Sequence, residues 1–505
     1  MILLDGETLT LDQVVKVARF LEKVDIHEGN KALVEQSAET VNRFLKRNKV
    51  VYGITTGFGN FADVVIPKNQ VRALQKNLLM SHATGTGPFI RDEQVRAMMV
   101  LRINALIKGY SGIRWPTLQR LLLFLNRNIL PLIPQKGSVG ASGDLVPLAH
   151  MSLPLIGIGK VKYKGKNQDA ATVLRELSLK PLVLEAKEGL ALINGTQMMT
   201  AVGVLNAYDG LVLCRTADIA GAASVEALRG TDTPFDPRVQ GLRPHKGQTN
   251  VAGNMLKLMK GSRILKSHAE CSKVQDAYSL RCIPQVHGAT RDTLDHVDHV
   301  LLTEINSVTD NPIIFFETDE SISCGNFHGQ PIALVLDFLG IGLSELASIS
   351  ERRIERLVDP ALSNLPPFLT KEGGLNSGYM ISQYAAAALV SENKVLSHPA
   401  SVDSIPTSAN QEDHVSMGTI AAFKGAEIIN NVRSVLAIEL LCASQGLDFI
   451  DESPGQGVRI AHEKIRKFIP TLTQDRVMSY DLKAMEKLIF NESVLKSVES
   501  VIGKL

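Results

Sequence analysis

The most unusual stretch of this 505-residue chain is Gly137-Ser-Val-Gly-Ala-Ser-Gly-Asp-Leu-Val-Pro-Leu-Ala-His150, in which mostly small residues precede an acid and an apolar segment. Such residues permit a very tight turn, because they lack side chains that would collide with the backbone. A nucleophile elbow is excluded, since Asp144 stands where Gly-x-Ser-x-Gly around Ser142 requires glycine. A phosphate-binding loop is also excluded, because no Lys-Ser or Lys-Thr follows at the required distance. Composition alone favours a glycine-rich connection in which Asp144 caps the next helix.

Outward from this stretch, helical periodicity dominates the chain. Two segments of the second half keep the spacing of one helix face: Leu339, Leu343, Leu346 and Ile349, and Ile428, Val432, Val435 and Ile438. The first segment runs into Asp359-Pro360 and the second into Gly446, which predicts a helix end at each place. Strand signals are few, and Lys160-Val-Lys-Tyr-Lys-Gly165 alternates like one arm of a small hairpin. We therefore predict a mainly α protein built around a long-helix bundle.

Composition limits the class of protein and its partners. With 45% hydrophobic and 21% charged residues and a formal net charge of +2, the chain is predicted to be soluble and globular. No run of like charges suggests a nucleic-acid partner. The N-terminus lacks the features of a signal peptide, and the most apolar segments, residues 121–134 and 333–346, are shorter than the ~20 residues that cross a bilayer. We predict core helices there and no membrane partner.

Cysteine usage indicates the compartment. The five cysteines are an odd number, lie far apart and form no C-x-x-C pair; they are Cys214, Cys271, Cys282, Cys324 and Cys442. This pattern indicates neither a disulfide framework nor zinc chemistry, and it predicts a reducing, cytoplasmic location.

The segment Asp295-His-Val-Asp-His299 contains residue types that bind metals, but their spacing does not indicate a metal site. Leu294, Val297 and Leu301 form the apolar face at that spacing, so His296 and His299 should point away from the core. Because no third ligand is evident, we predict no metal site.

The stretch from Gly137 to His150 resembles the active-site signature of the aromatic amino-acid ammonia-lyases and aminomutases. In that family the inner Ala-Ser-Gly, here Ala141-Ser142-Gly143, cyclises autocatalytically and loses water to give a 4-methylidene-imidazol-5-one group. The residue types suit this chemistry, because the Gly143 nitrogen must reach the Ala141 carbonyl carbon in a strained turn. Ser142 would become an exocyclic alkene, an electrophile that no standard side chain provides. The resemblance implies that no external cofactor is needed.

The resemblance runs from about the Tyr52 loop to beyond residue 416, and it implies an architecture and an assembly. The implied fold is that of the fumarase/aspartase-like superfamily, with residues 1–197 carrying the tyrosine loop and the prosthetic group and residues 198–505 forming the helical bundle and oligomerisation region. It further implies a homotetramer with active sites shared between subunits. The Tyr52 loop, residues 141–143 and the Glu412 region then need not meet within one monomer, and a folded monomer should be inactive.

Tyr52 lies in the glycine-rich loop Val51-Tyr-Gly-Ile-Thr-Thr-Gly-Phe-Gly59. A tyrosine in a loop is usually an anchor, but the resemblance assigns Tyr52 as the base that removes the β-proton of the substrate. That role requires its ordinary pKa of about 10 to be lowered by positive charge or hydrogen bonds. Thr55 departs from the asparagine expected in the family, which affects the conformation of the loop.

Five further residues can be interpreted either as ordinary structural residues or, by the family resemblance, as site residues. Asn194 is an ordinary turn residue by its sequence context, whereas the resemblance has it hold the prosthetic group and the substrate carboxylate. Gln275, Tyr278 and Arg281 are spaced by three, as on one helix face, and a polar surface would look the same. By resemblance Arg281 binds the carboxylate as a two-pronged donor, and the catalytic Tyr278 lies with Gln275 beside the prosthetic group. Phe327, otherwise a core aromatic, would pack near the imidazolone ring.

Two motifs favour a particular substrate within the family. They are Ser81-His82, where phenylalanine lyases would carry apolar residues, and Gln411-Glu412-Asp413-His414. An imidazole ring needs polar partners, which His82 and Glu412 can supply, although most glutamates are simply solvated. The implied reaction is non-oxidative deamination of L-histidine to trans-urocanate and ammonia, the first step of histidine degradation. In it the electrophile derived from Ser142 takes up the amine while Tyr52 removes the β-proton. Attack on the electrophile by the imidazole ring instead of the amine is an alternative that the sequence leaves open.

The sequence bears on three alternative functions. A phenylalanine or tyrosine ammonia-lyase, or an aminomutase, would use the same prosthetic group with a retuned ring pocket. A relative of aspartase or fumarase would share the helical architecture but should carry a Gly-Ser-Ser loop, which is not present. A non-catalytic helical scaffold should have lost Ser142 or Tyr52, and both remain.

Overall fold

The computed structural model describes residues 1–269 and 274–505. It is 60% helical, which confirms the mainly α class. The α-helices of the first half of the described chain are α1 (Leu11–Phe20), α2 (Glu28–Lys46), α3 (Val71–His82), α4 (Asp92–Leu106), α5 (Trp115–Asn126), α6 (Leu145–Ser152), α7 (Ala170–Glu176), α8 (Glu188–Ile193) and α9 (Gln197–Ala227). Those that follow are α10 (Pro237–Gly241), α11 (Lys246–Leu258), α12 (Arg263–Ser267), α13 (Tyr278–Arg281), α14 (Ile283–Ile305), α15 (Gln330–Val358), α16 (Pro360–Ser363), α17 (Met380–Leu396), α18 (Gly418–Leu447), α19 (Gln456–Arg466), α20 (Met478–Phe490) and α21 (Ser493–Ile502).

The described residues divide into two compact units, each assembled from three segments of the chain. The first unit comprises Met1–Tyr208, Asp298–Asp337 and Pro399–Phe423. The second comprises Asp209–Val297, Phe338–His398 and Lys424–Leu505. The division at residue 197 that the resemblance implies stays a prediction.

The strands of the first unit are short and form small sheets. They are β1 (Ile2–Leu4), β2 (Val24–Ile26), β3 (Thr86–Phe89), β4 (Leu130–Pro131), β5 (Pro134–Lys136), β6 (Lys160–Tyr163), β7 (Lys166–Asp169), β8 (Ile313–Phe315) and β9 (Glu320–Ile322). β1 pairs with β2 in parallel, whereas β3 with β5, β4 with β6, β6 with β7 and β8 with β9 are antiparallel. The β6–β7 hairpin, in the register Lys160 opposite Asp169, confirms the prediction for residues 160–165.

The core of the first unit supports the loop that carries Tyr52. Helix α4 is buried from Gln94 to Leu106, as expected of a helix surrounded by other elements. A separate apolar cluster packs Val51 and Ile54, at the start of the loop, against Phe44 of α2. The prediction of one core helix over residues 121–134 is wrong beyond Asn126, where α5 ends and β4 and β5 follow. The prolines of this segment have no N–H to donate and disfavour a helix interior.

The two apolar helix faces predicted from periodicity lie on the long helices α15 and α18. The eight apolar residues of the two predicted helix faces are all buried. Helix α15 ends at Val358, directly before Asp359-Pro360, as predicted. Helix α18 ends at Leu447, so the predicted stop at Gly446 is wrong by one residue. Gly446 instead allows close packing, because a Cβ there would lie 3.1 Å from Leu365 Cδ1 and 3.2 Å from Ala227 Cβ.

Helix α15 is the one described helix that is long and apolar enough to cross a membrane by length and composition. Of its most apolar stretch of 18 residues, 61% is buried within the structure. Core helices of globular proteins pass the same test, so this property carries no further conclusion.

Candidate active site

The turn at residues 137–144 lies against the Asn194-Gly195 turn. Gly143 adopts a left-handed conformation (φ +70°) and pairs with Gly195 as an isolated parallel bridge. Asp144 N donates to the Gly195 carbonyl at 2.6 Å. A Cβ on Gly143 would lie only 2.2 Å from that carbonyl oxygen, so both the conformation and the space require glycine here.

The other side of the turn is held by the segment that leads into α18. Met417 N donates to the Val139 carbonyl at 2.9 Å, and Ser416 Oγ donates to the Gly140 carbonyl at 3.2 Å. The Ala141 side chain packs in a small apolar cluster with Met417. Segments almost 280 residues apart in the chain therefore fix the backbone around Ser142.

Asp144 stabilises this arrangement in a way that the sequence did not indicate. It precedes α6, but its carboxylate makes no capping bond to that helix, so the predicted cap is wrong. The carboxylate accepts instead from Met199 N at 2.8 Å, Ser138 Oγ at 3.1 Å and Thr419 Oγ1 at 2.5 Å. Burial raises the pKa of the Asp144 carboxyl, and these hydrogen bonds oppose the rise. The carboxylate joins the start of α9 and of α18 to the turn.

Ser142 is contacted through both its side chain and its backbone. Its Oγ donates to Glu412 Oε1 at 3.1 Å, and its carbonyl accepts from Asn194 Nδ2 at 3.0 Å. Asn194 is 3% exposed, and its Oδ1 has no hydrogen-bond partner among the described residues. Because an unpaired buried acceptor is costly, this oxygen is suited to receive a donor that enters the site.

Glu412 is oriented by a small β-like pairing with Thr407. Thr407 N donates to the Glu412 carbonyl at 2.9 Å, and the two residues form an isolated antiparallel bridge. Thr407 Oγ1 donates to Glu412 Oε2 at 2.7 Å, which leaves Oε1 for Ser142. The carboxylate is thus fixed with one oxygen towards the signature turn.

The Tyr52 hydroxyl is fixed by its own loop. It accepts from Gly59 N at 3.2 Å, and its ring meets Phe58 edge to face at 6.3 Å between centroids. Thr55 closes the base of the loop by accepting from Val51 N at 2.8 Å. Burial is the largest influence on the pKa of Tyr52 and raises it; the charge of Glu412 raises it further, while the Gly59 N–H opposes the rise. The lowering that a catalytic base requires is therefore not supplied by the described residues around Tyr52.

His82 ends helix α3, and its Nδ1 lies 3.1 Å from Ser81 Oγ. Burial lowers the pKa of its imidazole, while the negative charge of Glu412 opposes that shift. A lowered pKa keeps the ring neutral at neutral pH, so His82 can both donate and accept a hydrogen bond.

These side chains line one cavity of about 1110 Å³ within the first unit. Six predicted site residues meet there: Tyr52, His82, Ser142, Asn194, Phe327 and Glu412. The sequence did not require the Tyr52 loop, the signature turn and the Glu412 region to meet within one chain, and they do. Sequence reasoning missed other lining residues, because nothing in their local sequence distinguishes them; among them are Phe58, Asn77, Leu190, Asn311 and Cys324.

Gln275, Tyr278 and Arg281 belong to the second unit and are not among the residues that line this cavity. Helix α13 begins only at Tyr278, so the prediction that all three share one helix face is wrong for Gln275. The Arg281 guanidinium lies over the Tyr278 ring, 4.6 Å from its centroid. Tyr278 is 71% exposed, and Arg281 Nε is buried without a partner in the described part of the chain.

The predictions for the histidine pair and the cysteines concern residues elsewhere in the chain. Leu294, Val297 and Leu301 are buried while His296 and His299 are exposed, which confirms the predicted orientation. Over residues 1–269 and 274–505, no cluster of three or more His, Cys, Asp or Glu side chains could hold a metal ion. The four described cysteines are free thiols, and Cys271 lies outside the described residues; the four are Cys214, Cys282, Cys324 and Cys442.

The chain belongs to the aromatic amino acid lyase family, whose model matches residues 9–467. Family membership confirms the expected fumarase/aspartase-like helical fold. Within that fold, the match to the aromatic amino acid lyase model excludes the alternative that the chain belongs with the aspartases or fumarases themselves.

Among its most similar relatives are proteins named histidine ammonia-lyase. That of Alkaliphilus oremlandii is 54% identical over 502 residues, with 99% of each chain covered. That of Symbiobacterium thermophilum is 54% identical over 501 residues, again with 99% of each covered. Of the solved structures, histidine ammonia-lyase from Trypanosoma cruzi superimposes with a TM-score of 0.92 at 43% identity, covering 99% of this chain and 95% of that one. Tyrosine aminomutase from Streptomyces globisporus gives 0.93 at 39% identity, covering 99% and 98%.

Proposed function

We propose that this enzyme converts L-histidine to trans-urocanate and ammonia by non-oxidative deamination, the first step of histidine degradation. The observation that carries the proposal is the position of Glu412, which accepts from Ser142 Oγ and acts electrostatically on both Tyr52 and His82 in one cavity. A carboxylate beside a neutral imidazole suits a substrate ring that has an N–H donor and a ring-nitrogen acceptor. The names of the most similar relatives support the same substrate.

We further propose that Ala141-Ser142-Gly143 forms the 4-methylidene-imidazol-5-one group, with no external cofactor. The residues present fit the group: Gly143 is left-handed, Ala141 is small, and Asn194 Nδ2 already bonds the Ser142 carbonyl. When formed, the group supplies an electrophilic alkene that turns the substrate amine into a better leaving group. Asn194 and Glu412 are the side chains of this chain that would hold it.

The remaining chemistry is proton transfer and orientation by ordinary side chains. Tyr52 is the proposed base for the β-proton, held by the Gly59 N–H so that its hydroxyl lies in the cavity. His82 and Glu412 hold the imidazole ring of the substrate, and Phe327 covers it. Because burial raises the pKa of Tyr52, this role requires a positive charge or hydrogen-bond donor beyond those of the described residues around its hydroxyl.

This acid–base assignment predicts a pH effect for Glu412→Gln. A base acts only when deprotonated, so log(kcat/KM) rises with pH until the pKa of Tyr52 is passed. The Glu412 charge raises that pKa, so its removal is expected to move the ascending limb of the profile to lower pH, whatever happens to the maximal rate. The measurement is kcat/KM for L-histidine from neutral to strongly alkaline pH. Asp413→Asn, the neighbouring exposed carboxylate, is the control, and an unmoved limb in Glu412→Gln contradicts the assignment.

We propose that Gln275, Tyr278 and Arg281 reach the site from another copy of the chain in a homotetramer. The exposed Tyr278 ring supports this proposal, because a large apolar side chain open to solvent is suited to being covered by a partner. The buried Arg281 Nε, which has no acceptor among the described residues, is suited to an acceptor that another molecule brings. Arg281 would bind the substrate carboxylate with its planar fork, with Tyr278 and Gln275 beside it. A cytoplasmic enzyme, without nucleic-acid or membrane partners, fits the free thiols among the described cysteines.

The test measures urocanate formation from L-histidine by ultraviolet absorbance. L-phenylalanine and L-tyrosine are assayed as substrates in parallel. Turnover of histidine alone is expected, from a species whose mass in solution is that of a tetramer. Cinnamate or coumarate would indicate a phenylalanine or tyrosine lyase instead. A β-amino acid product would indicate an aminomutase, the activity named for the Streptomyces globisporus neighbour.

A further inference from the structure

A fully buried ion pair lies in the second unit, outside the proposed site. Arg353 of α15 donates to Glu439 of α18 through Nε at 2.5 Å and Nη2 at 2.9 Å. Both side chains are 0% exposed. A buried pair of this kind is a poor source of stability, because desolvation cancels much of the attraction between the charges. Stability alone therefore does not account for the pair.

Glu439 is held so that Arg353 has one orientation. Ser224 Oγ donates to Glu439 Oε1 at 2.7 Å, and Ser350 Oγ donates to Oε2 at 2.5 Å. With the two bonds from Arg353, the carboxylate accepts four hydrogen bonds and has no freedom to rotate. Because Nε and Nη2 bond this fixed carboxylate, the planar guanidinium of Arg353 has one orientation. The position of its third nitrogen, Nη1, is therefore fixed as well.

Arg353 Nη1 contacts the backbone that carries Tyr278 and Arg281. It lies 3.4 Å from the Ser279 carbonyl oxygen, to which it donates, and 3.4 Å from His287 Nε2. Ser279 is the second residue of α13, a helix of only four residues. So short a helix has too few internal hydrogen bonds to hold its own orientation. An external donor to its backbone therefore has a large influence on it.

His287 completes the arrangement from α14. Its Nδ1 lies 2.9 Å from Asp218 Oδ1, and the other oxygen of Asp218 accepts from Arg291 Nη2 at 2.6 Å and Asn254 Nδ2 at 2.9 Å. With its Nδ1 proton donated to Asp218, the neutral ring presents Nε2 as an acceptor to Arg353. Burial, first, and the charge of Arg353 lower the pKa of His287, in agreement with a neutral ring.

We propose that Arg353, oriented by Glu439, is a positioning residue for the Tyr278–Arg281 turn. Its hydrogen bond to the Ser279 carbonyl holds α13 so that the Arg281 guanidinium stays stacked on Tyr278. In that orientation Arg281 can bind the substrate carboxylate. The inference rests on the proposed function, because it assigns Arg281 the carboxylate of the substrate. Arg353 itself touches neither the substrate nor the reacting atoms.

The experiment compares Arg353→Lys with the wild-type enzyme. Lysine keeps a positive charge beside Glu439, but its donors all lie on one nitrogen, which cannot occupy the separate positions from which Arg353 Nε, Nη2 and Nη1 bond Glu439 and Ser279. The KM for L-histidine is expected to rise about tenfold or more, within the roughly 100-fold that a misplacement of 1 Å can cost. Because carboxylate binding is shared by ground and transition states, kcat should change much less than KM.

A pair of unreactive ligands tests whether the carboxylate contact is the one affected. Imidazole propionate has the ring and the carboxylate, whereas histamine has the ring and no carboxylate. In Arg353→Lys the inhibition constant of imidazole propionate is expected to rise about tenfold, as KM does, while that of histamine stays unchanged. A merely structural role would weaken both ligands alike.

The matched control is Arg466→Lys, in the Arg466–Asp448 pair of the same unit, which should leave both inhibition constants unchanged. If Arg353→Lys does not fold, the double variant Arg353→Met/Glu439→Gln replaces it, because it leaves no uncompensated buried charge. An unchanged ligand ratio in a folded Arg353 variant overturns the inference. A wild-type enzyme inactive on L-histidine instead contradicts the proposed function, a result obtained before any variant is compared.

Discussion

Ser142→Ala is expected to lower kcat for L-histidine by on the order of 10³-fold or more, the scale of loss when a covalent catalyst loses its reacting group. The Ser142 hydroxyl is the group that leaves as water when the alkene forms, and alanine has nothing to eliminate. Substrate binding should survive, because Tyr52, His82 and Glu412 remain around the cavity. The measurement is urocanate formation by the purified variant at saturating substrate.

Mass spectrometry of the peptide spanning residues 137–150 separates this reason from simple misfolding. The wild-type peptide should be lighter than its sequence by two water molecules, one released when the Gly143 nitrogen closes the ring on the Ala141 carbonyl and one when the Ser142 hydroxyl is eliminated. The Ser142→Ala peptide has no hydroxyl to eliminate and should not reach this mass. Ser152→Ala, at the end of α6 and outside the cavity lining, is the matched control and should behave as the wild type. Full activity of Ser142→Ala would end the proposal for residues 141–143.

Tyr52→Phe is expected to reduce kcat by roughly 10²- to 10⁴-fold, the range for a lost general base. Phenylalanine keeps the ring and its edge-to-face contact with Phe58 but cannot take a proton. The fold should be little affected, because among the described residues the one hydrogen bond lost is that from Gly59 N. The readouts are kcat and KM for L-histidine, and kcat should account for most of the change.

The Tyr52→Phe variant should still carry the dehydrated residues 141–143, because Tyr52 makes no hydrogen bond to the signature turn among the described residues. Its mass spectrum therefore distinguishes loss of the base from loss of the prosthetic group. Tyr163→Phe, on the β6–β7 hairpin, is the control for replacing a tyrosine hydroxyl elsewhere. A Tyr52→Phe enzyme as fast as the wild type would require another base.

The sequence predicted those features that depend on local pattern. The buried faces of α15 and α18 follow from an apolar repeat, and the β6–β7 hairpin follows from strict alternation. The residues predicted to line the site came from motifs, and six of them line the cavity. Residues 121–134 show where pattern fails: apolar composition alone could not separate the end of α5 from the strands that follow.

The features that the sequence did not predict depend on partners far apart in the chain. Nothing near Asp144 indicates that its carboxylate binds Met199 and Thr419 rather than the helix it precedes. Nothing near Arg353 indicates a bond to the Ser279 carbonyl, because that acceptor is a backbone atom common to all residues. Such contacts are set by tertiary packing, which determines where each polar side chain finds its partner.

The long-range clamp on the signature turn has a consequence for the timing of synthesis. Residues 138–144 are hydrogen-bonded on one side by residues 194–199 and on the other by residues 412–419. A ribosome-bound chain that has not yet exposed residue 419 lacks half of this clamp. If ring closure requires the clamped turn, no reactive alkene exists while the nascent chain is unfolded and surrounded by cellular amines and thiols. The electrophile would then arise only inside a finished fold, which limits the nucleophiles that can reach it.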